Sequence, residues 1–145
     1  ILVSLIFTSE RSSAQMYWNN AGTFAGNSNS YISRGSSTSL NIMGSFSLEA
    51  WLNPATVTGT RIILQKREGG DPVGYTLLLS DGRVSIRTNS NTRLIGKTVL
   101  QTNSWTHVAG TYNSSSGLFS VFINGTLASI GAKTFDELVE IVQKN

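Results

Sequence analysis

Residues 105–125, WTHVAGTYNSSSGLFSVFING, constrain the fold more than any other stretch, because two strands and the turns that follow them are written into one run. Trp, Thr, Val and Tyr in 105–112, and Leu, Phe, Val and Ile in 118–123, suit a pleated, half-buried surface. The polar run 113–117 between them ends in Gly117; it can close a hairpin and cannot build a core. Asn124-Gly125 is the pair best able to take the positive backbone angles of a type I′ turn, which predicts that the chain doubles back along 126–129. Three antiparallel strands are therefore readable from residue type.

A second tight pair, Asp81-Gly82, joins the apolar run 75–80 to 83–87. With a two-residue loop, Leu79 faces Val84 and Leu77 faces Ile86, so their four side chains share one side of a hairpin. Upstream, Phe46, Leu48, Ala50 and Leu52 alternate with Ser47, Glu49, Trp51 and Asn53, the pattern of a strand with one buried face. Pro54 cannot donate to a ladder and ends it. A further strand is expected over 61–66, a loop over 89–96 and a short edge strand over 97–100.

The combination W-x-H-V-A-x-T-Y, a Ser/Gly turn, an alternating strand and Asn-Gly, preceded by FSLEAWLNP at 46–54, resembles the laminin-G-like and pentraxin-like group of the concanavalin A-like lectin/glucanase superfamily. The resemblance runs from about residue 24 to about residue 129 and implies an antiparallel all-β sandwich, a jelly roll. Phe24-Ala25-Gly26 then matches the turn before the short strand that Tyr31-Ile32 would form, with Ala25 where the family often carries Asp. The sandwich is expected to be partial, because after residue 131 the pattern turns helical where the family continues with closing strands. Thr134 through Glu137 reads as a helix start with a capping acid, and Phe135, Leu138, Val139 and Val142 recur at helical spacing, predicting a helix over 135–143.

At 145 residues the chain has the size of one domain. Its organisation is expected to be a leader remnant at 1–14, an incomplete laminin-G-like domain at 15–131 and a helical tail at 132–145. The apolar run ILVSLIF with small residues Ser12 and Ala14 behind it is what the end of an export signal looks like, although an edge strand would read the same way. It is too short to span a bilayer, so the mature chain is expected to be secreted or at the cell surface with no membrane span. With no cysteine, disulfides and thiolate zinc sites do not arise.

Paired carboxylates for glycosidic bond cleavage would stand about 5–10 Å apart, and the glucanase pattern E-x-D-x-x-E is missing. No G-x-S-x-G elbow accompanies His107, the sole histidine, which on an alternating strand is expected to be buried and hydrogen-bonded. The chain is therefore read as a non-enzyme. Pentraxin-like relatives take calcium from the loop matching 67–74, which makes Asp71 the candidate metal ligand and calcium the one cofactor to consider. For a sugar ring the candidates are Trp51, on the face opposite the apolar row, with Glu49 and Asn53 beside it.

Seven basic residues fall within 61–97 without the interleaved aromatics of a nucleic-acid groove, so nucleic acid is not expected. The expected partner is a glycan or an extracellular protein, with self-association through an open sheet edge as a further possibility. The function expected is a non-catalytic extracellular recognition module. An accessory domain of a secreted glycoside hydrolase or sialidase, or a spacer in a surface adhesin, is the alternative.

Overall fold

A computed structural model describes residues 2–4, 21–27, 29–33, 37–66, 74–88 and 92–131. Their strands sort into two antiparallel sheets. In chain order they are β1 (Leu2–Ser4), β2 (Gly22–Thr23), β3 (Phe46–Asn53), β4 (Thr60–Lys66), β5 (Tyr75–Ser80), β6 (Arg83–Thr88), β7 (Thr92–Val99), β8 (Thr106–Asn113), β9 (Leu118–Ile123) and β10 (Thr126–Gly131). The first sheet has six strands in the order β10-β9-β8-β3-β1-β2, the second four in the order β4-β5-β6-β7. This is the expected β-sandwich. The predicted helix at 135–143 lies outside the described residues, as do Asp71 and most of 1–14.

Period two decides which side chains meet between the layers. Leu48, Ala50 and Leu52 of β3 point inward with Val108 of β8 and Phe119 and Val121 of β9. From the other sheet come Leu77 and Leu79 of β5 and Val84 and Ile86 of β6, all four fully buried. Leu77 pairs with Ile86 and Leu79 with Val84, the register that the Asp81-Gly82 turn implies. The turn has φ of 47° at Asp81 and 76° at Gly82, and Asp81 Oδ1 accepts the Gly59 N–H at 2.8 Å. Each fully buried aliphatic side chain contributes about 1.5–3 kcal/mol, so this cluster is the main source of stability.

Close approach of the layers has a structural cause. A Cβ built on Gly110 of β8 would lie 2.7 Å from Ile86 Cδ1 of the facing sheet. Two further contacts seal one end: the Phe46 ring sits 5.3 Å from that of Tyr75 and 5.7 Å from that of Tyr112. The Tyr75 hydroxyl donates to the Leu40 carbonyl at 3.2 Å. Burial pushes the Tyr75 phenol above its ordinary pKa, and the Lys66 charge offsets part of that rise.

Three sequence expectations are corrected. The polar stretch expected as a loop over 89–96 contains strand from Thr92 onward, because β7 pairs along β6, with Arg93 opposite Arg87 and Leu94 opposite Ile86. Tyr31-Ile32 forms no strand, and Tyr31 is 71% exposed. His107 is not in the core; it occupies the outward positions of β8 while Thr106, Val108 and Gly110 take the inward ones. Residues 2–4 of the apolar N-terminal run pair with β3 and β2.

Candidate functional site

β3 and β8 are neighbours, and their register sets Trp51 opposite His107. Both side chains project from the outer face of the six-stranded sheet, with ring centroids 5.4 Å apart and planes inclined by 54°. Glu49, two residues before Trp51 and so on the same face, brings Oε2 to 3.4 Å from His107 Nε2. Asn53 completes the outward row of β3 and is half-buried. Trp51 is 43% exposed, so part of its side chain is open to solvent.

The Asn124-Gly125 turn fixes the backbone beneath this group. Asn124 Oδ1 accepts the His107 N–H at 3.0 Å, and the Asn124 N–H donates to the His107 carbonyl at 2.9 Å. Asn124 holds φ at 49° and Gly125 at 77°, the type I′ geometry expected for this pair. The turn thus closes the β9–β10 hairpin and also pins the strand that carries the histidine.

All three residues singled out for ligand contact lie on this face. His107 joins them, and reading along one strand missed it because the Glu49 partner lies across the ladder. The signal was available. Val108, the next residue, is plainly an inward one, and alternation then turns His107 outward. Trp105 is as exposed as Trp51, at 44%, and lies just before β8.

Beyond His107 the same face becomes apolar. Leu118 and Phe122 of β9 and Leu127 and Ile130 of β10 all point outward, and Leu127 and Ile130 are largely exposed. The site therefore has a polar and aromatic half on β3 and β8 and an oily half on β9 and β10.

The chemistry of these groups suits binding. The described carboxylates are Glu49, beside His107, and Asp81, in a turn of the other sheet where it accepts the Gly59 N–H. Calcium takes six to eight oxygens. Among the described residues no three His, Cys, Asp or Glu side chains come together to hold a metal; Asp71 lies outside them. No helix among the described residues is long and apolar enough to cross a membrane.

Comparison with known proteins agrees with this fold. A laminin-G family model described as the concanavalin A-like lectin/glucanases superfamily matches residues 6–140. Pentraxin-related protein PTX3 of Homo sapiens is 30% identical over 86 residues, covering 59% of this chain and 23% of that protein. A solved structure described as a putative carbohydrate binding protein from Bacteroides ovatus superimposes with a TM-score of 0.51 at 23% identity, covering 64% of this chain and 27% of the other. The native heptameric SAP-like pentraxin of Limulus polyphemus gives 0.50 at 11% identity, covering 63% and 46%. The chain thus spans less than half the length of each of these relatives, and the two structures speak to fold.

Proposed function

This chain belongs to the concanavalin A-like lectin/glucanases superfamily, and from that premise we propose that it is a non-catalytic recognition module that binds carbohydrate through the outer face of its six-stranded sheet. One observation carries the reading: an indole 43% exposed on a rigid strand, flanked by carboxylate, imidazole and amide groups. Sugar rings present an apolar C–H face and a rim of hydroxyls. Trp51 offers the complementary flat surface, Glu49 and His107 offer an acceptor and a second hydrogen-bonding group, and Asn53 an amide. Placing these on strands keeps them preorganised, which lowers the entropy cost of binding. The names of the relatives, a carbohydrate binding protein and pentraxins, support the same class of function.

Secretion or surface display is part of the proposal. A glycan array probed with the purified chain, with calcium and with chelator, tests the reading. The expected result is binding to a subset of neutral glycans that drops at least tenfold for Trp51→Ala and persists in chelator. An array silent under both conditions overturns it.

The exposed Leu127 and Ile130 favour a second reading, a protein partner on the β9–β10 half of the same face. In that case Leu127→Glu abolishes capture of the partner while Trp51→Ala leaves it intact.

A further inference from the structure

Glu49, Trp51 and His107 stand close enough for a proton on the histidine to bear on the other two. The chain has one histidine, and the ladder sets it opposite Trp51 with Glu49 diagonally across. His107 Nε2 lies 3.4 Å from Glu49 Oε2, and the imidazole and indole centroids are 5.4 Å apart. Glu49 is exposed and His107 half-buried, so solvent protons reach the pair. Two hydrogen bonds to Asn124 fix the His107 backbone, which leaves the side chains to respond.

No other charge intrudes on this contact among the described residues. Along β3 the outward neighbours of Glu49 are Ser47 and Trp51, and along β8 those of His107 are Trp105, just before the strand, and Ala109. From β9 and its turn Phe122 and Asn124 face β8, and β1 sets Ser4 opposite Trp51 in the ladder. None of these carries a charge. The described lysines and arginines belong to β4, β6 and β7 of the other sheet, and Asp81 to a turn there. Glu49 is therefore the one described ionisable group that faces His107.

Imidazoles ordinarily gain a second proton between about pH 8 and pH 5, a range in which carboxylates are still ionised. A neutral imidazole at 3.4 Å holds Glu49 loosely. A protonated one draws a carboxylate into a charge-assisted bond, about 2.7–2.9 Å long, and is also attracted to an indole within about 6 Å. Glu49 supplies the acceptor of the proposed sugar site and Trp51 its apolar surface, so a charged histidine competes with the sugar for both. On the reading that sugar binds this face, we infer that His107 sets the pH dependence of the site, with sugar held more tightly by the neutral imidazole than by the protonated one. An ion pair open to water is weak, so the expected change is about threefold to fivefold in affinity between pH 8 and pH 5.5.

The test uses the whole chain. Neutral glycans that bind on the array at pH 8 are titrated singly by calorimetry from pH 8 to pH 5.5, and wild type is expected to lose affinity steadily over that range. His107→Gln, which keeps a hydrogen-bonding group and cannot ionise, is expected to bind with one affinity throughout. Glu49→Gln, which removes the carboxylate that the charged imidazole draws in, is expected to give a shallower profile than wild type. In the absence of sugar, indole fluorescence is expected to drop on acidification in wild type and to stay level in His107→Gln and in Trp51→Phe, since the new charge arrives beside the Trp51 ring. Equal affinity at pH 8 and pH 5.5, tighter binding at pH 5.5, or a wild-type slope retained by His107→Gln overturns the inference and leaves the sugar site standing. An array silent at every pH overturns both.

Discussion

The two outward faces of this sandwich share one interior and have almost nothing else in common. On the six-stranded side β3 sends Leu48, Ala50 and Leu52 in and Glu49 and Trp51 out, beside an outward His107. On the four-stranded side β6 sends Val84 and Ile86 in and Arg83 and Arg87 out. Successive residues of one strand thus answer to different demands. Burial dictates the inward set on both sheets; it leaves the outward set of the six-stranded sheet free to be aromatic and acidic, whereas on the four-stranded sheet it also takes outward Thr76, Leu78 and Ser85 and leaves Arg83 and Arg87 half-buried beside them. Binding chemistry can therefore change without changing the core, and a shared core ties both faces to one folding event.

Breaking that core gives the largest expected effect. Leu77 is fully buried against both layers, and Leu77→Ala should cost about 2–5 kcal/mol, measured by urea unfolding. Sugar binding on the six-stranded sheet and the packing of the four-stranded sheet should be lost over the same denaturant range. Loss of one before the other would show that the sheets are separable, and the comparison would fail at its root. Gly110→Ala should follow at about 1–3 kcal/mol, because the new Cβ meets Ile86 at 2.7 Å and forces the sheets apart. A variant as stable as wild type would mean that the layers adjust freely at this point.

Next come changes that should affect one face and spare the other. Trp51→Ala is expected to lower sugar affinity at least tenfold, about 1.4 kcal/mol, while the urea midpoint moves little. Trp105→Ala removes an equally exposed indole at the Asn53 end of the row, just before β8, and is expected to cost less sugar affinity than Trp51→Ala. Equal losses in the two variants would show that any exposed tryptophan suffices. The Glu49 and His107 neighbourhood would then have no part in recognition.

Most of the interior could be read from residue order because burial and turn chemistry act locally. Asp81-Gly82 and Asn124-Gly125 set the register of their hairpins, and the alternation in 46–53 set the inward row. What could not be read depends on neighbours distant in sequence. The stretch 89–96 reads as a loop because most of its residues are polar, yet from Thr92 onward it is strand paired with β6, where Leu94 meets Ile86. Tyr31-Ile32 has strand-forming residues but no ladder among the described strands to join. Alternation makes Trp51 and Glu49 legible as outward residues, and the inward Val108 does the same for His107, but that the three stand together required the ladder itself.

The smallest effect near neutral pH concerns the seam between the two sheets. Tyr75 begins β5, buries its ring against Phe46 of the opposite sheet and donates its hydroxyl to Leu40. Burial raises its pKa above the ordinary value of about 10, so the folded state holds the phenol proton more tightly than the unfolded chain does. The contribution to stability is then whole below pH about 10 and declines as pH rises through the folded-state value, because unfolding there releases a proton. Unfolding midpoints measured from pH 8 to 11.5 should fall at the alkaline end for wild type and fall less steeply for Tyr75→Phe, which cannot ionise. At pH 8 the Phe variant should lose only the hydrogen bond to Leu40, about 0.5–1.5 kcal/mol. Parallel alkaline slopes in the two proteins would show that this phenol stays protonated or exposed throughout. The tie between the faces would then rest on aliphatic packing alone.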